Sequence, residues 1–575
     1  MAMDMRVYMC QREVSSPAQP WSLILAHDEI TPGNVLRPDN ARKFSCFYFT
    51  FHEFGDFAIR HEAVWFHVGV LRSSIASKVV GGLGCAVRLL MRALVVEEHG
   101  FTNGVVLPLD DGPTLLFARL RNHLGDEGGL AAGLCIKGAA GIRPCLACAN
   151  VVKKGSDLIG RGAAALVEIS CTDANQFVNC SDADVWRVYD RLVALDAHAT
   201  RTEMDRQLKA AGVNLNANGI IADVGLRGYV GPVSSLTYDW QHTYLSNGVA
   251  SQEMFEFLSS CKKHGIHGMY PVLETFCKAD WTWPQQLKSS GKSIANVFNK
   301  VRERASHDHW KSGASELLTV IPLVRHFAES IVLVRHPQLH LHVKSLLSCF
   351  KVIDMLQDAK GGPCNSDALS RAVKHHLDLH KSCYGEEEWK PKMHYALHIP
   401  SQILRDNMLF DCFVVERSHQ VPKLIATAIQ HTASFEKSVI ARALLARLRE
   451  LAVFDERSGL RGRQDDFPEM GNELGRQDVR CASQAAVSGF QIHSGDMLFV
   501  GNHVISMKLA IASGDDLGVL GHACDLATRR SSTAAEYSVQ AGLSFMWLGN
   551  HRIRRAHVWT TLASGHILVL APDLL

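Results

Sequence analysis

The chain has 575 residues, too many for one ordinary domain, so two to four modules are expected. Apolar residues make up 47% and charged residues 21%, an ordinary globular balance that argues against disorder over most of the chain. A formal net charge of +2 excludes a uniformly basic surface, so any nucleic-acid contact must come from local patches.

Residues 1–20 read as an irregular lead-in with Pro17 and Pro20. Ser22–His27 is a short apolar run ending at Asp28, followed by a Thr31–Asn34 turn, which predicts a buried strand with an acid at its end. Lys43–Phe54, rich in Phe and Tyr, and Ala63–Leu71 predict a second and third strand. Ser73–Glu98 has helical periodicity, and Pro113–Leu124 predicts a fourth strand closing on Gly125-Asp126. A short Ala/Gly/Leu helix then leads to Cys145 and Cys148.

Helical patterns dominate from about 180 to 385: Asp184–Ala197, Ser251–His264, Ile294–Arg304, Ala314–Val334, His340–Gln357 and Ser366–Ser382. Lys390–Ile403 stands apart as a distinctive segment. Phe413–Gln430 reads as a strand end passing into a helix, and Glu436–Ala452 as a further helix. Residues 455–480, rich in Gly and mixed charges, read as a linker. Beyond about 485, short apolar runs between Gly turns predict strands at Asp496–Val500, His503–Ala512, Ser544–Leu548, His557–Thr561 and Ile567–Leu570.

The apolar stretches Val79–Val96 and Leu317–Val334 carry charges at helical spacing, so buried amphipathic helices are expected rather than membrane spans. Met1–Cys10 lacks the features of a signal peptide. The 16 cysteines are mostly scattered singly, which suits reduced thiols in the cytosol or nucleus better than a disulfide framework.

Cys145 and Cys148 form the only Cys-x2-Cys pair in the chain, a spacing that lets two thiolates meet one tetrahedral zinc. Two more ligands are needed, and both His394 with His398 and His376 with His380 offer an i,i+4 pair. Asp28 and Asp126 each end a predicted strand, where acids converge at a sheet edge and can bind hard divalent ions. Taken singly, each also suits a turn or helix cap. Glu416 follows the apolar run Phe410–Val415 and is either a helix-start charge or a third ligand.

The order of these features resembles cut-and-paste transposases whose RNase H-like core is interrupted by a helical insertion. Asp126 precedes Cys145 by 19 residues and His398 precedes Glu416 by 18, an arrangement similar to that of the Transib transposases and the related V(D)J recombinase. The local motifs resemble the CACTA-like group more closely, including the Plavaka and Kyakuja-Dileera-Zisupton elements. Gly125-Asp126 through Lys137-Gly138 and Gly141 to Pro144-Cys145 and Cys148 resembles their GD…KG…G…PCxxC block. Asp239-Trp240-Gln241-His242 resembles their DxMH block, and Lys392-Met393-His394 through His398 to Glu416-Arg417 their KxH…H…ER block. The resemblance covers roughly residues 20–445. Gln241 stands where the family usually has Met, and Gly128-Gly129 follow Asp126 where Pro-Ala or Ala-Ala is commoner.

The resemblance implies an α/β RNase H-like catalytic core with a mainly α-helical insertion, and the strand pattern beyond about 485 predicts a small β-rich C-terminal domain. The expected boundaries are 1–180 and 386–452 for the core, 181–385 for the insertion, 453–484 for a linker and 485–575 for the β domain. Asp28, Asp126 and Glu416 would bind two Mg2+ or Mn2+ ions and perform DNA cleavage and strand transfer. Cys145, Cys148, His394 and His398 would hold a structural Zn2+. Lys137, Arg143, Arg417 and Lys423 are the expected phosphate contacts. The DxMH resemblance implies that Asp239 and His242 sit near the active centre or the zinc; the residues alone suit a helix N-terminus with Asp239 as cap and His242 in its first turn, the role expected chiefly of Asp239, and that of His242 stays open. DNA as partner, a homo-oligomer, no membrane and a nuclear location follow, with no separate DNA-binding module expected ahead of Asp28. The alternative is a catalytically inactive, transposon-derived DNA-binding or interaction protein.

Overall fold

The computed structural model describes residues 14–33, 42–109, 112–159, 165–287, 294–360, 364–429, 433–452, 458–487, 490–549, 551, 553–556 and 558–571. Outside them lie most of the expected lead-in, Asn34 of the first turn, Gln430, the start of the expected linker and His557. The chain folds as two compact units, Met1–Thr243 with Trp389–Asp455, and Tyr244–Glu388 with Glu456–Leu575.

The first unit is built on a five-stranded mixed sheet. β1 (Trp21–Ile30), β2 (Phe44–Phe51) and β3 (Phe66–Arg72) are antiparallel neighbours, rich in the aromatic and apolar residues that fit a pleated surface. Next come a hairpin of β4 (Val105–Leu109) and β5 (Gly112–Leu116), then β6 (Ala118–Gly125). A small pair, β7 (Val151–Val152) and β8 (Val167–Glu168), precedes β9 (Leu236–Tyr238). The sheet order is β3-β2-β1-β6-β9, and β1, β6 and β9 run parallel. Leu23, Ile24, Leu25, Tyr48 and Leu124 are essentially inaccessible to solvent, because both sheet faces are covered.

The helix Glu127–Leu134 lies so close to the sheet that a Cβ at Gly133 would come within 2.8 Å of His27 and 3.0 Å of His123. The helix Phe435–Ala452 packs against β3, where Arg72 pairs with Glu436 at 2.7 Å.

Several sequence expectations are corrected. The expected helix Ser73–Glu98 is broken at Gly81 (φ +91°), leaving a turn at Ser73–Ala76 and a helix at Gly82–Met91 that runs into a π-turn at Arg92–Val96. The expected fourth strand divides at Phe117 into β5, which belongs to a hairpin, and β6, which belongs to the core sheet. Phe413–Gln430 contains no strand within its described residues; it forms the helices Phe413–Ser418 and Gln420–Ala428. Residues 181–243, assigned to the insertion, fold with the first unit, because β9 completes its sheet.

The second unit combines helices with β-structure. Val249–Lys263, Ala314–Phe327, His340–Ala359 and Ser366–Tyr384 are its longer helices. The run Ala314–Arg335 is long and apolar enough to cross a membrane by composition, yet 61% of its most apolar window is buried. Its Arg325 is also buried and pairs with Asp354 at 2.7 Å, as suits a core helix. The C-terminal strands form a nine-stranded and a three-stranded sheet. Residues 458–484 are not a linker: strands Gly459–Arg461, Asp465–Asp466 and Arg480–Ala482 and the helix Pro468–Leu474 belong to this structure, with Leu460, Met470, Val479 and Ala482 buried.

Candidate metal and active site

The parallel strands deliver acids to one sheet edge. Ala26 of β1 is level with Leu124 of β6, so Asp28 and Asp126 follow two residues later on neighbouring strands. Tyr238 of β9 is level with Gly125, which brings Asp239 beside Asp126. Glu416 arrives on the helix Phe413–Ser418, which packs against β1. Contrary to expectation, β1 continues for two residues beyond Asp28.

Burial pushes the Asp28 carboxyl up to about 6, with the Asp126 charge adding to the effect and the Glu29 backbone N–H and His242 opposing it. Burial also raises the Glu416 carboxyl, reinforced by Asp239 and Asp28 and opposed by His242 and Gln241. Asp126 caps the helix Glu127–Leu134, its Oδ1 accepting from Gly129 N at 2.5 Å. The capping role and an acid-cluster role therefore coincide in one residue. Among the described residues, the tightest His/Cys/acid groups, with all ligand atoms within 4.8 Å of one another, do not include Asp28, Asp126 and Glu416 together. These three share a charge neighbourhood rather than one tight cage.

Asp239 does more than cap a turn. Its carboxylate accepts from the backbone N–H groups of Gln241 (2.9 Å), His242 (3.0 Å) and Cys412 (3.0 Å), and from His242 Nδ1. His242 Nε2 then faces Glu416 Oε1 at 3.4 Å. Burial opposes charging of this ring, but Asp239, Glu416 and Asp126 outweigh it and lift its pKa to about 9. Gln241 Nε2 donates to the same Glu416 oxygen at 2.6 Å. His419 Nδ1 lies 3.8 Å from Asp28, and burial lowers its pKa to about 4, so this ring is neutral at pH 7.

The Cys–His group is compact. Cys145 Sγ lies 3.3 Å from His398 Nε2, Cys148 Sγ is 3.5 Å from His394 Nε2 and 3.4 Å from His398 Nε2, and the two imidazole nitrogens are 3.1 Å apart. A tetrahedral zinc with Zn–N of about 2.0 Å and Zn–S of about 2.3 Å needs edges of ~3.3–3.8 Å, so two thiols and two imidazoles at these spacings fit it. Burial opposes ionisation of Cys145, but the Cys148 hydrogen bond and both imidazoles hold its thiol well below the usual range. His376 and His380, the other pair weighed for this site, lie instead against Glu253.

The ligands come from two separated segments that are tied together. His394 belongs to the helix Pro391–Ala396, and His398 precedes the helix Ile399–Asp406. Tyr395 stacks on Tyr238 at 4.3 Å and donates to the Pro144 carbonyl at 3.0 Å. Gln402 clips β9 from outside: its Oε1 accepts from Tyr238 N at 2.9 Å and its Nε2 donates to Tyr238 O at 3.0 Å. Asp239 thus follows a strand that the segment carrying the Cys–His group helps to hold.

The expected phosphate contacts do not share one setting. Arg417 is engaged by Glu62 and the Arg60 carbonyl, and Lys423 is exposed. Lys137 and Arg143 are half-buried, with the charge of Arg143 acting on Cys148 and Cys180. Gln241, Gln402, Tyr238, Tyr395 and His419 were not identified from sequence as site residues, and no spacing rule marks them. Burial lowers the Lys392 pKa, while Glu127, Asp126 and Asp239 oppose that shift. No protein-family model matches the chain, and no curated protein matches its sequence.

Proposed function

We propose that this chain is a DNA transposase-like protein of CACTA-like type, with an RNase H-like core that carries out metal-dependent phosphodiester cleavage and strand transfer. The observation that carries the reading is the convergence of Asp28 near the end of β1, Asp126 just after the parallel neighbour β6 and Glu416 on a helix packed against β1, far apart in sequence, in one charge neighbourhood. The sheet polarity and the motif resemblance support the same reading. Hard carboxylate oxygens suit Mg2+ or Mn2+, and two such ions when bound would activate the attacking oxygen and stabilise the leaving one.

The residues present have definite tasks in this account. Asp28 and Asp126 offer oxygens from neighbouring strands, and Glu416 offers a third carboxylate from its helix. Asp239 orients His242 through Nδ1, and the charged ring steadies Glu416. Zn2+ at Cys145, Cys148, His394 and His398 is a structural tie, consistent with four protein donors that fill a tetrahedron. DNA is the partner, held through Lys and Arg contacts in a nuclear, homo-oligomeric protein whose affinity falls with salt.

The second reading, a catalytically inactive transposon-derived binding protein, is favoured by Gln241, whose amide occupies Glu416 Oε1. Nicking of duplex and branched DNA with Mg2+ or Mn2+ separates the two. Asp126→Asn keeps a good helix cap while removing a charge, so loss of nicking in a folded variant supports the enzyme. Folded, zinc-loaded wild type that binds DNA yet cuts none of these substrates with either ion supports the inactive reading.

A further inference from the structure

In the second unit, two helices bring together a cluster of a carboxylate, two imidazoles and a phenol. Glu253 projects from Val249–Lys263, and His376, His380 and Tyr384 from Ser366–Tyr384; both helices pack on His340–Ala359. Glu253 Oε2 lies 3.2 Å from His376 Nε2 and 2.6 Å from His380 Nδ1, while the Tyr384 hydroxyl donates to Oε1 at 3.3 Å. Side-chain exposure is 0% for Glu253 and His376 and 3% for His380, so water solvates this carboxylate very little.

A buried carboxylate needs charge compensation as well as hydrogen bonds. The hydrogen-bonding groups that face Glu253 are the two imidazoles and the Tyr384 hydroxyl. A divalent ion meets both needs, turning two imidazole lone pairs and one carboxylate oxygen inward. We propose that Glu253, His376 and His380 form a second metal site, holding one divalent ion of the zinc class between helices of the second unit. The three donor atoms lie within 4.8 Å of one another. Metal–ligand bonds of about 2.0–2.1 Å require donor separations of ~3.3 Å, close to the His376 spacing. His380 must withdraw by roughly 0.7 Å to reach that separation. The i,i+4 histidines supply one face, and Tyr384 borders the carboxylate oxygen that faces away from it. Burial makes the site a clamp between helices rather than a substrate site.

The proposal is independent of the transposase reading and of the Cys–His group. Zinc per chain is counted by mass spectrometry in the full-length protein purified without chelator. The wild type is compared with E253Q, C145S/C148S and the combined variant, each checked for folding by circular dichroism. Two equivalents are expected in the wild type, one in E253Q and one in C145S/C148S, with none in the combination. Co2+ loaded into C145S/C148S is expected to give a visible d–d band without the near-ultraviolet thiolate charge-transfer band. If C145S/C148S does not fold, the comparison of wild type with E253Q decides alone. An unchanged zinc count in folded E253Q overturns the proposal. So does a folded C145S/C148S chain without zinc, an outcome that leaves the Cys–His site standing.

Discussion

Gln402→Ala removes the clip on the shortest strand of the core sheet. β9 has three residues, and Tyr238 exchanges both of its backbone groups with the Gln402 amide, at 2.9 Å and 3.0 Å. A net hydrogen bond is worth about 0.5–1.5 kcal/mol, and a donor or acceptor left unsatisfied in a buried place costs about 1–3 kcal/mol. Tyr238 is 7% exposed and Gln402 is only partly buried, so water can repair part of the loss. The two bonds together place the destabilisation at about 1–3 kcal/mol. Urea unfolding of the full chain measures it as a lower midpoint for the first unit, and hydrogen exchange reads the Tyr238 amide directly. An unchanged midpoint together with unchanged protection at Tyr238 would refute the claim that Gln402 secures β9. Because Tyr238 also stacks on Tyr395, the variant is further expected to release zinc faster to a chelator.

Chelation of zinc, or Cys148→Ser, is expected to lower the melting temperature of the first unit and loosen the segment carrying His394 and His398, as read by proteolysis; zinc-loaded and zinc-free protein melting alike would contradict it. Acid should destabilise the same unit through His67, which is 2% exposed and whose pKa burial lowers to about 3, with the Arg447 and His419 charges adding. A lowered histidine pKa gives stability that is present above about 6.5 and lost as pH falls toward 3, on the order of 4 kcal/mol if fully realised. His67→Phe should flatten that part of a stability-against-pH curve, and an equally steep curve would count against the assignment. Asp239→Asn should drop the His242 pKa from about 9 toward or below the ordinary histidine value, because burial then acts with less opposition. A raised histidine pKa contributes stability that is present below about 6.5 and lost as pH rises through 9, so the variant should lose stability most clearly at pH 6–7. Carbon-detected NMR titration of His242 checks the shift, and an unmoved titration would sink the proposed role of Asp239.

The parts of the site that were legible in the sequence are those with short, chemically specific spacings. Cys145 with Cys148 and His394 with His398 are local pairs, and the structure brings the two pairs together across some 250 positions. Asp28 and Asp126 were legible because apolar runs lead into them. Glu416 was legible as a residue but not as a local structure, since the β-branched run before it imitates a strand while forming a buried helix. β9 was hidden because three residues carry no period. The segment 458–484 was misread because its exposed charges mask the buried Leu460, Met470 and Val479. The long strand Asp516–Arg529 escaped, and of Ala534–Trp547 only the end from Ser544 was legible, because their exposed portions break the apolar pattern. His376 and His380 were visible as a pair, but their partner Glu253 lies 123 and 127 positions away, beyond the reach of any local rule.

The most direct test of the central claim counts Mn2+ bound to the DNA complex by electron paramagnetic resonance and measures nicking on the same preparations. Wild type is compared with Asp28→Asn, Asp126→Asn and Glu416→Gln. The account predicts Mn2+ bound beside DNA in the wild type, less in each variant, and nicking lost in parallel. Folded variants that bind as much Mn2+ and nick as fast as the wild type would contradict it.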